Sequence, residues 1–133
     1  MFELENQYMK ILVVDDENDV KVLFEQRFRN EIKRREMDFS FAFSGEDALN
    51  FMKSHENEAV LILSDINMPG MSGLELLRTV KKQYETPAPF VIMVTAYGDD
   101  ENYSHAMKFG ADDFLTKPVD FTSLKEKLRA RIS

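Results

Sequence analysis

The chain has 133 residues, the size of one domain, and 44% of them are hydrophobic, which is enough to build a core. Its formal net charge of −7 disfavours direct nucleic-acid binding, which needs a basic surface, and suits either plain solubility or the binding of a divalent cation. There is no cysteine, so disulfides and thiolate metal sites are excluded.

No apolar run approaches the roughly 18 residues that a membrane-spanning helix needs. The acidic N-terminus lacks the basic and apolar pattern of a secretory signal. We therefore expect a cytoplasmic protein with no membrane partner. We expect residues 1–8 to be an N-terminal extension and residues 9–133 to form the domain.

Short apolar runs alternate with amphipathic segments along the chain. Residues 10–14 have the length and composition typical of a buried strand. A second strand is predicted at 39–43, and Ser44, with Asp47 three residues later, predicts the N-cap of a second helix. Between the two strands a first helix is predicted, because one set of apolar residues recurs at helical spacing: Val20, Leu23, Phe24, Phe28 and Ile32.

The third run, 59–64, is the most apolar and predicts a central strand that Asp65 directly follows. Ser72 predicts the N-cap of a third helix. The remaining predicted elements are a strand at 90–94 that ends at Thr95, a helix at 99–109 closed by Gly110, a strand at 113–116 and a helix that begins near Asp120.

Five strands alternating with five helices predict an α/β fold, a doubly wound parallel sheet with helices on both faces. Periodicity leaves the order of the strands open. In such sheets, ligands bind beyond the carboxyl ends of the strands. Residues that can hold a metal or a phosphate follow four of the five strands: Asp15 and Asp16, then Asp65, Thr95 and Lys117.

Each of these residues, taken alone, is explained by an ordinary turn, cap, strand end or solvated lysine, but one arrangement explains them all together. Crowded carboxylates repel one another and raise each other's pKa values, and a divalent cation removes that repulsion. Mg²⁺ prefers such oxygen ligands, with Mn²⁺ or Ca²⁺ as alternatives. A carboxylate can act as a nucleophile and form an aspartyl phosphate, while a metal and a lysine neutralise the transferred group.

Four segments in this order, at these strand ends, resemble the receiver domain of response regulators in two-component signalling. The resemblance covers nearly the whole chain, from about residue 10 to residue 132, and implies a flavodoxin-like strand order 2-1-3-4-5. It also implies a cis peptide bond before Pro118. The segments that carry it are 11–17 (ILVVDDE), 63–70 (LSDINMPG), 94–96 (VTA) and 114–118 (FLTKP).

The resemblance implies roles for single residues. Asp65 would accept a phosphoryl group, and Thr95 and Lys117 would contact that group. The protein would be an enzyme only in catalysing its own Mg²⁺-dependent phosphorylation and dephosphorylation. The implied metal ligands are Asp16 and Asp65 directly, the backbone carbonyl of Asn67, and Asp15 through water.

Partners and a switch are implied as well. A sensor histidine kinase or a histidine phosphotransfer protein would supply the phosphoryl group, because the two histidines of the chain lie in helical segments with no partner motif. Phe114 stands at the aromatic switch position, where many relatives have tyrosine, and Thr95 completes the switch. An output domain or protein would bind the fourth helix, fifth strand and fifth helix, around Tyr103, Phe114 and residues 117–121. A phosphorylation-dependent homodimer stays open.

The resemblance also places Asn67 and Tyr97 at the two loop positions that would set the lifetime of the phosphorylated state. Asn67 can orient a water molecule. The side chain of Tyr97 is bulky and stays protonated near neutral pH, since the reference pKa of tyrosine is about 10. We expect its ring to shield the path of the attacking water; the alternative is that it faces solvent and docks a partner.

Three other functions fit the residues less well. A Mg²⁺-dependent phosphatase with an aspartate nucleophile would resemble Asp-x-Asp after the first strand, where residues 15–18 read DDEN. A flavodoxin-like FMN carrier would need a loop rich in Ser, Thr and Gly there, and the acids would repel the FMN phosphate. A pseudo-receiver used only for docking would not need the complete set of acids and lysine.

Overall fold

A computed structural model describes residues 9–56, 58, 60–85, 88–96 and 98–132. Its strands are β1 (Met9–Val14), β2 (Met37–Ala42), β3 (Val60–Asp65), β4 (Phe90–Ala96) and β5 (Asp113–Lys117). Its helices are α1 (Asp19–Arg27), α2 (Arg29–Lys33), α3 (Gly45–Ser54), α4 (Gly73–Gln83), α5 (Asp100–Lys108) and α6 (Phe121–Ile132). Within these ranges, every helix is too short or too polar to cross a membrane.

All neighbouring strands are parallel, in the order β2-β1-β3-β4-β5, which confirms the predicted α/β fold and strand order. β3 is the central strand, as predicted, and all six of its residues are buried. The register aligns the carboxyl ends of the strands, because Val14 pairs with Ser64, Asp65 with Val94, and Lys117 with Ala96. The residues at those ends therefore meet at one edge of the sheet.

The sheet has a separate apolar core on each face, because alternate residues of a strand point to opposite sides. One core joins Leu12 and Ile62 to residues of α3, α4 and α5. The other joins Ile11 and Leu63 to α1, α2 and α6, and its middle is a cluster of phenylalanine rings. Both faces of the sheet are covered by helices, as a parallel sheet requires.

The first predicted helix is divided, so the described part of the chain forms six helices rather than the predicted five. Phe28 interrupts it with φ −108° and ψ 19°, and its fully buried ring packs 4.8 Å from the ring of Phe39. The predicted fourth and fifth helices are therefore α5 and α6. Among the apolar residues at helical spacing, Leu23 is not buried: this residue is 38% exposed and lines a cleft between α1 and the start of α6.

The predicted helix caps are confirmed. The Ser44 hydroxyl accepts the Asp47 N–H at 3.0 Å. Ser72 and Glu75 form a complete capping box, in which each side chain accepts the backbone N–H of the other residue. Gly110 follows α5 with φ +96°, in the left-handed region that glycine adopts without steric cost. The cis bond before Pro118 is also present.

The C-terminus of α2 is closed by a Schellman motif with an arginine where glycine is usual. The Glu36 N–H donates to the Glu31 carbonyl at 2.9 Å, and the Arg35 N–H donates to the Ile32 carbonyl at 3.1 Å. This geometry places Arg35 at φ +60°. A residue with a Cβ loses about 1–2 kcal/mol in this conformation relative to the right-handed region.

Substituting Arg35 therefore tests this strain. We expect Arg35→Gly to be more stable than Arg35→Ala by about 1 kcal/mol, because only glycine removes the Cβ clash. Both variants remove the same charge, so their difference isolates the backbone effect. The free energy of unfolding in urea measures it, and equal values for the two variants would contradict the interpretation.

Candidate functional site

The carboxyl edge of the sheet brings three predicted acids together. Asp65 is the last residue of β3, and Asp15 and Asp16 directly follow β1. One carboxylate oxygen from each of the three lies within 4.8 Å of the other two. Mg²⁺ binds oxygen at about 2.0–2.1 Å, so small side-chain movements suffice for these oxygens to share one cation.

Lys117 pairs with the buried carboxylate of Asp65. The Lys117 Nζ donates to Asp65 Oδ2 at 2.9 Å, and the backbone N–H of Ile66 donates to Asp65 Oδ1 at 2.9 Å. Burial alone would lower the pKa of Lys117, but the hydrogen bond and the charge of Asp65 outweigh it and raise that pKa. Lys117 is therefore a cation held at the point where the acids converge.

Asp15 is the acid whose ionisation its surroundings oppose. Burial raises its pKa, and the negative charge of Asp65 adds to the effect. The Glu17 N–H, which donates to Asp15 Oδ1 at 2.9 Å, and the charge of Lys117 act in the opposite direction but do not cancel it. Such crowding of carboxylates fits a site for a divalent cation, which would favour the ionised form.

The hydroxyl of Thr95 is buried and has no hydrogen-bond partner among the described residues. Its residue is 1% exposed, and Oγ1 forms no hydrogen bond with any part of the chain that the structure describes. A buried hydroxyl without a hydrogen bond costs about 1–3 kcal/mol. An oxygen of a phosphoryl group on the neighbouring strand end would give this donor a partner, so Thr95 fits the predicted chemistry.

Three predicted residues remain: Asn67, Phe114 and Tyr97. Asn67 is exposed in the loop between β3 and α4, two residues beyond Asp65. Phe114 is the second residue of the edge strand β5, and its ring meets that of Tyr103 edge to face, with centroids 4.6 Å apart. Thr95 and Phe114 border one cleft of about 540 Å³. Tyr97 lies outside the described residues.

The sequence did not predict two residues that contact Asp65. The Ser64 hydroxyl donates to the backbone carbonyl of Asp65, and Gly73 packs against that same carbonyl. A serine inside an apolar run and a glycine after a capping serine are both common, so neither pattern signals this contact. The Ser64 bond is local to β3, whereas the Gly73 contact arises only when α4 folds back onto the end of that strand.

Comparisons with known proteins agree with this geometry. Residues 11–129 match the response regulator receiver domain. A response regulator receiver domain protein from Clostridium thermocellum is 31% identical, with a TM-score of 0.80 over 93% of this chain and 94% of that one. A receiver domain protein (CheY-like) from Methanospirillum hungatei JF-1 is 32% identical, with a TM-score of 0.77 over 93% of each chain.

A third solved structure is the receiver domain of a signal transduction histidine kinase from Syntrophus aciditrophicus. It is 27% identical, with a TM-score of 0.78 over 93% of this chain and 89% of that one. The chain belongs to the response regulator receiver domain family of two-component signalling.

Neutralising Asp15 should stabilise the metal-free protein. In a chelator at pH 7, we expect Asp15→Asn to unfold at a higher temperature than the wild type, because the amide carries no charge for the folded state to oppose. The raised pKa of Asp15 means that the folded state disfavours its charge. The wild type should therefore recover the difference as the pH falls through that raised pKa, and recover it fully below the ordinary aspartate pKa of about 3.9.

Thermal unfolding in chelator and in excess Mg²⁺ checks this prediction. In Mg²⁺ the advantage of Asp15→Asn should shrink or reverse, because ligand binding stabilises the folded wild type more. A destabilised variant in chelator would show that the site does not oppose the Asp15 charge.

Proposed function

We propose that this chain is a phosphorylation-controlled receiver that takes a phosphoryl group onto Asp65 with a divalent cation, Mg²⁺ in the first place, bound beside it. The observation that carries the proposal is the convergence at one sheet edge of three acids within 4.8 Å and a lysine 2.9 Å from Asp65. Membership of the receiver family supports it. The donor would be a sensor histidine kinase or a histidine phosphotransfer protein in the cytoplasm.

Asp65, Lys117 and Thr95 would each have a separate role in the transfer. A carboxylate oxygen of Asp65 attacks phosphorus, the new O–P bond forms as the bond from phosphorus to the donor breaks, and an aspartyl phosphate results. The ammonium of Lys117 neutralises an oxygen of the transferred group, and the Thr95 hydroxyl donates to another.

A bound Mg²⁺ would neutralise further negative charge on the transferred group. Asp16, Asp65 and the Asn67 carbonyl would hold it directly, with Asp15 acting through water. Hydrolysis would return the site to its starting state, and Asn67 and Tyr97 would set its rate.

The switch would run from Thr95 to the face formed by α5, β5 and α6. Thr95 and Phe114 line the same cleft, so movement of one changes the space available to the other. The Phe114 ring packs on Tyr103, which is 45% exposed. A phosphoryl group that binds one arrangement of these side chains more tightly would shift the population towards it and so alter the surface offered to an output partner.

Phosphorylation itself is tested with a small donor. Incubation with acetyl phosphate and Mg²⁺ should add one phosphoryl group to the wild type, and intact mass measures it. We expect no addition to Asp65→Asn, because the amide is not a nucleophile of this kind, and none in chelator. Labelling of Asp65→Asn at the wild-type level would contradict the assignment.

The switch is tested with beryllofluoride and Mg²⁺ as a mimic of the phosphoryl group. Amide chemical shifts should change around Asp65 and also around Tyr103 and Phe114. In Thr95→Ala the changes near Asp65 should persist while those around Phe114 shrink by about half or more, because the donor hydroxyl is lost. Distant changes confined to α1, α2 and α3 would exclude the proposed output face.

A further inference from the structure

The peptide unit between Asp65 and Ile66 is held from two sides. The buried Ser64 hydroxyl donates to the Asp65 carbonyl at 2.9 Å. A Cβ built on Gly73 would lie 2.0 Å from the same oxygen and 2.8 Å from the Ile66 Cα. The Gly73 N–H also donates to the Ile66 carbonyl at 2.8 Å. The first turn of α4 therefore packs directly on this peptide.

The other side of the same peptide orients the Asp65 side chain. The Ile66 N–H donates to Asp65 Oδ1 at 2.9 Å and to the Val94 carbonyl at 3.2 Å. A peptide unit is planar, so fixing its carbonyl also fixes the direction of its N–H. With Oδ1 held in this way, Oδ2 faces the Lys117 ammonium at 2.9 Å.

We propose that Ser64 and Gly73 are positioning residues for the phospho-acceptor: they hold the Asp65–Ile66 peptide in the plane that orients the Asp65 carboxylate. This inference rests on the proposed function and adds two residues to its site. Neither contacts the transferred group, so both act only through the peptide. Positioning of this kind matters because a small displacement of a reacting group lowers the rate steeply.

Gly73 is required because a side chain would not fit at this position, and not because the backbone conformation there needs glycine. Its φ is not positive, unlike that of Gly70, Gly98 and Gly110. The atoms that a Cβ would meet belong to the backbone of Asp65 and Ile66, so no side-chain rotation can make room. An alanine at this position must displace either α4 or the peptide that carries the phospho-acceptor.

Gly45 provides a matched control. Like Gly73, it is the buried first residue of a helix after a capping serine, and its φ is not positive. The three atoms nearest to a Cβ on Gly45 belong to the Met71 side chain, at 2.7–2.9 Å; its Sδ and Cγ can turn away, and a small shift of Met71 makes room for the rest. Gly45→Ala and Gly73→Ala therefore make the same chemical change at equivalent helix positions, and only one of them presses on the Asp65 peptide.

The experiment compares Ser64→Ala, Gly73→Ala and Gly45→Ala with the wild type, well below their unfolding temperatures. Titration calorimetry with Mg²⁺ should show affinity reduced roughly tenfold or more in Gly73→Ala, as for other residues that orient metal ligands. Ser64→Ala should lose about two- to tenfold, the range of one hydrogen bond. Gly45→Ala should bind as the wild type does.

Two further readouts separate positioning from general destabilisation. At saturating Mg²⁺, the limiting rate of phosphorylation by acetyl phosphate should fall in Ser64→Ala and Gly73→Ala, while the donor concentration for half the maximal rate stays unchanged. In the metal-free proteins, the amide proton of Ile66 should shift upfield in both variants as its bond to Oδ1 weakens. Gly45→Ala should show neither change.

One result would overturn the inference: Ser64→Ala and Gly73→Ala melt at a lower temperature but keep the Mg²⁺ affinity, the limiting rate and the Ile66 chemical shift of the wild type. Where Gly73→Ala does not fold, Ser64→Ala decides, because it removes a single oxygen. The Ile66 shift needs neither metal nor phosphoryl group. A wild type that accepts no phosphoryl group would therefore contradict the proposed function, while the Ile66 signal still tests the positioning.

Discussion

Asp65 is the last residue of the most buried strand of the sheet and is only 6% exposed. One of its carboxylate oxygens lies within 4.8 Å of a carboxylate oxygen of Asp15 and of Asp16. A buried charge is costly unless it is paired and hydrogen-bonded. The pairing cation, Lys117, is 52 residues away in the chain and reaches Asp65 only because β3, β4 and β5 lie side by side in parallel. The fold is thus the means by which this charge is tolerated.

The same crowding would make the site sensitive to a bound cation or phosphoryl group. Asp15 resists ionisation because of its burial and the charge of Asp65, and the buried Thr95 hydroxyl has no partner among the described residues. Each of these features is unfavourable in the free site and, under the proposed function, would be relieved by a cation or a phosphoryl group. A ligand that relieves them shifts the equilibrium between conformations in proportion to its preference for one of them.

A second buried acid, Glu31, has its charge paired by cations of the protein at a place where no ligand is expected. Glu31 of α2 is 3% exposed and accepts a hydrogen bond from Arg129 of α6 at 2.9 Å, with Lys125 at 3.3 Å. Burial would raise its pKa, but the backbone hydrogen bond and these two cations outweigh it and lower the pKa. The charge of Glu31 is thus paired within the fold and joins α2 to α6, although its Oε1 accepts no hydrogen bond from the described residues. In the part of the chain that the structure describes, the acids around Asp65 have only one cation, Lys117, within ion-pair distance of Asp65.

The sequence by itself determined what depends on near neighbours. The alternation of apolar runs and amphipathic segments predicted five strands in a parallel sheet. The serines that precede two helical segments predicted the caps at Ser44 and Ser72, because a cap bonds to a backbone N–H only three residues away. The candidate residues at the strand ends followed from the general rule for parallel sheets. The strand order came from the family resemblance, because periodicity carries no information on which strands are neighbours.

Only the tertiary structure decided the features that need distant segments in contact. The break of the first helix at Phe28 follows from the packing of its ring against β2, and Leu23 is exposed because the start of α6 leaves a cleft beside α1. The contact of Gly73 with the Asp65 carbonyl depends on where α4 settles after the loop. Such close approaches are set by the packing of whole elements, and no local pattern of residue types encodes them.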